Sequence, residues 1–407
     1  TADFYKQLKA NTLVLPARVT VGDIDFARPS GAPVRPHVFL FLIDSLRRDY
    51  LSPYNPAVTF TPSIGEFASD SFVFDRAFTR YAGTGLAVPS IWAGGMLIHM
   101  LEQRPFDGRN ALLKLLDGDG YRRVMGIDHI IRELIPPSAD VVELDRDVPP
   151  MECDFCRTMH ELESRLATSL VDRRPVFSYT LSQNVHIAVA SKRIVPPDRS
   201  YQGFFAPVAE SVRQVDSCFA DFIAFLRRLR LYDDSVIIVT SDHGDSLGEE
   251  GRWGHAYFMV PEVMRIPLIV HLPLALRGRF ATDLGRVSFS TDITPTLYAL
   301  LGHAPANLGP LFGEPLFDQP GTDLSLRRRE SFLLASSYGA VYGMLRHNGR
   351  TLYTADALAG RDDAYDLTGH GPGHRIAITN ASSALNRRLI SEQLDQLAAL
   401  NHFTPQP

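Results

Sequence analysis

Lysine is almost missing from this chain. It occurs only as Lys6, Lys9, Lys114 and Lys192, and arginine supplies the rest of the 41 basic residues. With 46 acidic residues the formal net charge is −5, so no overall basic field draws the chain to nucleic acid. Cysteine is scarcer still, three in 407 residues, which excludes a disulfide scaffold. Cys153 and Cys156 have CxxC spacing with His160 four residues on. A structural zinc site needs about four ligands and no second pair exists, so a local disulfide or two plain thiols is expected instead. No apolar run approaches the ~18 residues of a membrane helix. The chain opens at Thr1 with no methionine and no signal peptide, which reads as a soluble protein or a domain cut from something longer.

What is present is the balance of a globular protein, with 45% hydrophobic and 21% charged residues, which excludes disorder and fibrous repeats. The length favours one large α/β domain, alone or with a smaller one. Residues 1–35 read as a peripheral arm, with a proline-rich linker from Ala27 to Pro36. His37 to Asp44 then begins a series in which buried strands (Tyr121–Ile127, Pro175–Leu181, Ser235–Ser241, Ile266–Leu272) alternate with helical patterns (Asn110–Leu116, Phe155–Val171, Phe204–Leu229, Asp292–Leu301). That alternation predicts a doubly wound, mostly parallel sheet in a three-layer α/β/α sandwich over residues 36–329. From residue 330 short strands separated by turns, with a hairpin signal at His347-Asn-Gly-Arg350 and a helix from Ser382 to Leu400, predict a smaller antiparallel α+β subdomain over 330–407.

Ligands of open α/β sheets bind beyond the carboxyl ends of the strands. Asp44 ends the first strand, Asn184-Val-His186 follows the Val176–Ser182 run, and Asp242-His243-Gly244-Asp245 follows Ser235–Ser241. A lone strand-end aspartate commonly caps a helix, but adjacent buried Asp242 and His243 would be costly unless paired or metal-bound. Two carboxylates and an imidazole suit a borderline divalent cation such as Zn²⁺ or Mn²⁺.

The segments Phe41-Leu-Ile-Asp44-Ser-Leu-Arg-Arg-Asp-Tyr50, Thr240-Ser-Asp242-His243 through Gly254-His255, Arg265–Pro273, Thr291–Gly302 and Tyr365-Asp-Leu367 closely resemble, in order, the landmarks of the sulfatase branch of the alkaline phosphatase superfamily. The resemblance implies the three-layer fold and one divalent metal, zinc first, with manganese or calcium as alternatives. It departs at the nucleophile. Sulfatases carry the cysteine or serine that becomes formylglycine two residues before a Pro-Ser-Arg, and here that position is Ala87, before Pro89-Ser90-Ile91. Thr84 stands five residues before Pro89, the register of the nucleophilic threonine in the phosphoethanolamine and related lipid-headgroup transferases of the same superfamily. Thr84 would precede a helix spanning Pro89 to Gly94, whose N–H groups favour a phosphate oxygen.

On that resemblance Asp44, Thr84, Asp242 and His243 hold the metal, and His186 and His255 handle the transferred group. Asp44 stands where those transferases usually have glutamate. Asp245 and Glu249 read as supporting or surface groups, and Arg47 and Arg48 as helix-surface residues of which one could face an anion. The expected activity is hydrolysis or transfer of a phosphate ester, in particular a diester, through a phosphothreonine. The alternatives are a sulfatase using the same metal site and an inactive sulfatase-fold binding protein. The expected partner is a phosphorylated or sulfated small molecule, lipid headgroup or glycan. The resemblance also implies a domain working outside the cytoplasmic membrane, with membrane contact through a missing N-terminal region. The scarcity of cysteine opposes that placement in favour of the cytoplasm. Oligomeric state has no signature.

Overall fold

Two runs without apolar–polar alternation set the centre of the molecule. His37–Ile43 and Ser235–Thr240 are buried along nearly all their length, because helices cover both faces of the sheet and leave no polar side. The structure is a computed structural model that describes residues 2–12, 35–98, 109–169, 173–191, 200–303, 309–324 and 329–400. His37–Ile43 pairs in parallel with Ser235–Thr240 on one side and Val176–Ser182 on the other. Arg122–Gly126 and Val141–Leu144 continue the sheet in parallel. At the opposite edge Leu268–His271 runs antiparallel to Ser235–Thr240, with Phe72–Val73 outside it. The reversal has a simple cause: after Thr240 the chain stays at the carboxyl edge until residue 264 and re-enters the sheet from that end.

Side chains alternate across each strand. Val38, Leu40 and Leu42 enter a core with helices Thr84–Ala93, Ala111–Gly118 and Ile293–Leu300. Phe39, Phe41 and Ile43 enter the other, with helices Pro62–Ser69, Phe155–Ser169 and Ala206–Arg228. Phe41 meets Phe155, Phe219 and Phe222 edge-on, with centroids 6.0, 6.2 and 5.4 Å away, a preferred aromatic geometry.

Strands Ser331–Ala335, Val341–Arg346, Thr351–Asp356, Arg361–Asp366 and His374–Ile376 form a separate antiparallel sheet in sequential order. The expected hairpin is present, with His347, Asn348 and Gly349 all at positive φ. Helix Asn380–Leu400 covers one face. Residues Ala2–Ala10 are a helix packed on it, with Leu8 buried, so the start of the chain is docked through an apolar contact. Residues 13–34, most of the proline-rich stretch, lie outside the described residues. Among the described residues no helix is long and apolar enough to cross a membrane.

The cysteines pair differently from the local expectation. Cys156 is bonded to Cys218, 62 residues away, which ties helix Phe155–Ser169 to helix Ala206–Arg228, and Cys153 is free. Cys156 lies in the first turn of its helix, facing the neighbouring helix, whereas Cys153 lies before the helix begins. A zinc knuckle with His160 is excluded because Cys156 has no thiolate to offer. Thiol titration of denatured, non-reduced protein should find one free thiol, and three after reduction. Replacing Cys156 and Cys218 together by serine should cost about 2–4 kcal/mol of stability. Three titratable thiols without reductant would contradict the pairing.

Candidate active site

Three adjacent strands deliver their chemistry to one edge. Asp44 follows Ile43 and is buried. Its neighbour Ser45 turns the chain at φ 64°, uncommon for a residue with a Cβ, and donates its hydroxyl to Asp44 Oδ1 at 2.8 Å. Gln183, just past strand Val176–Ser182, donates Nε2 to Asp44 Oδ2 at 2.9 Å. Ser241 fastens the two central strand ends together. Its hydroxyl reaches the Ile43 carbonyl at 2.7 Å and accepts the Leu46 N–H at 3.1 Å.

Asp242 Oδ1 accepts the N–H groups of His243 at 3.0 Å and Ser45 at 3.4 Å. Its Oδ2 is buried, has no hydrogen-bond partner of sound geometry among the described residues, and lies 3.3 Å from His243 Nε2. His243 Nδ1 donates to the Gly244 carbonyl at 2.9 Å. That bond fixes the tautomer and leaves a lone pair on Nε2, 3.8 Å from Asp44 Oδ1 and 3.1 Å from Thr84 Oγ1. Only glycine fits at 244, since a Cβ there would lie 2.1 Å from the Glu262 carbonyl oxygen.

Thr84 is the first residue of helix Thr84–Ala93, not a residue ahead of a helix at Pro89. Pro89 sits inside that helix, where it cannot donate to the Gly85 carbonyl, and Gly94 ends the helix at φ 67°. Ala87 is fully buried in an apolar cluster with Tyr81, Leu333 and Tyr342. Position 87 therefore packs toward the C-terminal sheet.

His186 lies in the first turn of helix Asn184–Ser191, with Nδ1 3.4 Å from Ser45 Oγ and 3.9 Å from Asp44 Oδ1. His255 Nδ1 donates to Asp245 Oδ1 at 2.7 Å, and its ring lies 4.0 Å from that of His243 and 5.3 Å from that of His186. All six expected site residues therefore converge. Asp44, Asp242 and His243 form one group able to hold a metal, and His186, Asp245 and His255 a second beside it.

Asp245, read as a supporting or surface group, is buried and supports His255. Arg47 and Arg48 differ from the sequence reading, because both are buried. Arg47 binds both oxygens of Asp49 and reaches Glu249 at 2.5 Å, while Arg48 binds Asp75 and lies 4.8 Å over the Tyr54 ring. The Arg47 guanidinium is committed to these acids, which is what permits its burial. Ser45, Gln183 and Ser337 were not anticipated. Ser337 reaches across from the C-terminal sheet and donates to the Gly83 carbonyl at 2.7 Å. Nothing local in the sequence marks it, because the contact spans the two sheets.

Burial raises the cost of both carboxylates, and they respond in opposite directions. For Asp44 burial works against the charge, but His243, His186, His255 and the Ser45 hydroxyl outweigh it and hold the group below the usual range. For Asp242 burial and then the Asp44 carboxylate push the group up to about 8, against weaker pulls from Thr84 and His255. A divalent cation fits this donor set: it would relieve that repulsion and take the lone pairs of Asp242 Oδ2 and His243 Nε2.

The sulfatase family model matches residues 36–303, well over half of the chain. An N-acetylglucosamine-6-O-sulfatase of Bacteroides thetaiotaomicron is 27% identical over 150 residues, 37% of this chain and 26% of that protein. A choline-sulfatase of Rhizobium meliloti is 35% identical over 104 residues, 26% of this chain and 19% of that protein. The chain thus spans about a quarter or less of the curated relatives it matches. Among solved structures a 2-O glycosaminoglycan sulfatase superposes with a TM-score of 0.67 at 16% identity, covering 91% of this chain and 97% of that one. The lipoteichoic acid synthase LtaP of Listeria monocytogenes superposes with a TM-score of 0.59 at 15% identity, covering 99% and 100%. Together with the strand-end carboxylates and the Asp-His pair, these matches assign the chain to the sulfatase family, on the sulfatase-like branch of the alkaline phosphatase superfamily.

Proposed function

We propose that this protein is a metal-dependent ester hydrolase or transferase that moves a sulfuryl or phosphoryl group through Thr84. The observation that carries the reading is the Thr84 hydroxyl, at a helix start and 3.1 Å from His243 Nε2, beside two buried carboxylates. The buried Ala87 argues against formylglycine chemistry, since a methyl side chain in an apolar cluster has no nucleophilic atom. Charge narrows the substrate. Besides burial, Asp44 feels the imidazoles of His243, His186 and His255 and the Ser45 hydroxyl, and Asp242 feels the Asp44 carboxylate, the Thr84 hydroxyl and His255, with no guanidinium group among these leading influences. Two carboxylates and one divalent cation sum to no net charge, which suits a monoanionic ester better than a phosphate monoester dianion. Sulfate esters and phosphodiesters are both monoanions. The sulfatase relatives favour the sulfate ester as substrate, and the threonine register favours the phosphodiester as the second reading.

Zinc is the first choice of metal for the Asp44, Asp242, His243 and Thr84 donor set; when bound it lowers the pKa of the threonine hydroxyl and neutralises the two carboxylates. Thr84 Oγ1, deprotonated, bonds to sulfur or phosphorus as the ester oxygen departs. His255, oriented by Asp245, gives that oxygen a proton. In the second half of the cycle the neutral imidazole takes a proton from water, or from an acceptor alcohol, whose oxygen bonds to sulfur or phosphorus as the bond to Thr84 Oγ1 breaks and the threonine oxygen is released. His186, on the same side, holds a non-bridging oxygen of the transferred group. The Cys156–Cys218 disulfide supports a place outside the cytoplasm, where sulfated glycans or lipid headgroups are met.

Thr84→Ala should reduce turnover on the order of 10³-fold or more. The same variant should still gain thermal stability on zinc addition, because Asp44, Asp242 and His243 remain. Near-normal turnover by Thr84→Ala would dismiss the threonine route. His255→Ala should cost on the order of 10²–10⁴ with an alkyl ester. It should cost far less with a p-nitrophenyl ester, whose leaving group needs no proton. Equal losses on both esters would remove His255 as the proton donor. Parallel assays with p-nitrophenyl sulfate and bis-p-nitrophenyl phosphate decide between the two substrate classes.

A further inference from the structure

The mouth of the site carries two large exposed aromatic side chains with no part in the scheme above. Tyr257 is 61% exposed and Tyr338 is 48% exposed. Their ring centroids are 5.9 Å apart and their planes tilted by 48°. Each is held by backbone that also holds a reacting group. Tyr257 lies two residues past His255, beyond Ala256, which adopts φ 77°. A residue with a Cβ at that angle is uncommon and strained. The Ala256 N–H donates to the Ala82 carbonyl at 2.7 Å, two residues before Thr84, and its carbonyl accepts the Ser337 N–H at 3.0 Å. Tyr338 comes from the turn between the first two strands of the C-terminal sheet. Its phenol lies against Gly85, next to Thr84. The ring lies so close that a Cβ on residue 85 would fall 2.4 Å from the phenol oxygen and 3.2 Å from Cζ.

Exposed aromatic rings lose contact with nothing when a ligand arrives, and gain it by covering a flat apolar surface. Tyr338 touches Gly85 beside Thr84 and Tyr257 follows His255 by two residues, so the exposed rings flank the two groups that would act on the departing half of the ester. We propose that Tyr257 and Tyr338 form the wall of the leaving-group subsite and select esters whose alcohol is a ring with an apolar face. A pyranose and an aryl alcohol share that face. Two tilted rings provide a stacking surface on one side and do not enclose the ligand as a cage for a quaternary ammonium group would. The proposal rests on the reading of Thr84 and His255 given above. Tyr338 thereby gives the C-terminal sheet a part in choosing the substrate.

The test is calorimetric binding to the zinc-loaded Thr84→Ala protein, in which affinity is read apart from turnover. The probes are N-acetylglucosamine 6-sulfate, p-nitrophenyl sulfate and ethyl sulfate. Both ring esters should bind more tightly than ethyl sulfate. Tyr257→Ala and Tyr338→Ala, each added to this background, should weaken the ring esters about 3- to 10-fold and leave ethyl sulfate unchanged. Tyr338→Phe should retain the preference, because the ring persists. A change confined to one ring ester identifies the alcohol class. Equal affinity for all three probes, equal losses on all three, or a loss in Tyr338→Phe as large as in Tyr338→Ala would overturn the wall. None of these results bears on whether Thr84 is the nucleophile, which the turnover of Thr84→Ala decides separately.

Discussion

Two carboxylates that repel each other in a buried space govern this structure. Asp44 and Asp242 close adjacent parallel strands, and neither can move away without breaking the register that the central sheet imposes. Their proximity is expensive: burial and mutual repulsion push Asp242 up to about 8. The surroundings are arranged around that cost. Ser45 and Gln183 donate to Asp44, Ser241 fastens the two strand ends, and His243 is held in the tautomer that presents a lone pair. A fold built only for stability would place apolar groups there, so the arrangement makes sense as a place for a cation.

The site is completed from outside the parallel sheet. Helix Thr84–Ala93 begins at the residue that faces the carboxylates, and the C-terminal sheet braces that start through Ser337. His255 belongs to the long excursion after Thr240 that never leaves the carboxyl edge. The core sheet thus fixes the charge, while the excursion and the second sheet fix His255 and the start of the Thr84 helix.

Much of this was legible from local pattern. HVFLFLI and SVIIVTS could only be strands buried on both faces, and the residues that follow them had to share an edge. Asp44, Asp242 and His243 were therefore readable together, and the family resemblance placed Thr84, His186 and His255 beside them. Contacts between distant segments were not legible. Cys156 pairs with Cys218 across 62 residues while its near neighbour Cys153 stays free. Pro89 looked like a helix start, because proline favours the first turn, yet the helix begins at Thr84. Arg47 and Arg48 read as surface residues because the acids that bury them, Glu249 and Asp75, lie elsewhere in the chain. The substrate class was also read too narrowly from the threonine register: the curated relatives give the sulfate ester at least equal standing with the phosphodiester.

The central claim is that Thr84 carries the transferred group. The direct measurement is rapid-quench peptide mass spectrometry of the zinc-loaded enzyme mixed with a sulfate ester and, separately, with a phosphodiester. The account predicts an adduct on the peptide containing Thr84, with the accurate mass of a sulfuryl or a phosphoryl-ester group according to the substrate that turns over. It should appear within the first turnover and be absent in Thr84→Ala. Product formed at full rate while that peptide stays unmodified at every quench time would contradict a covalent route through Thr84.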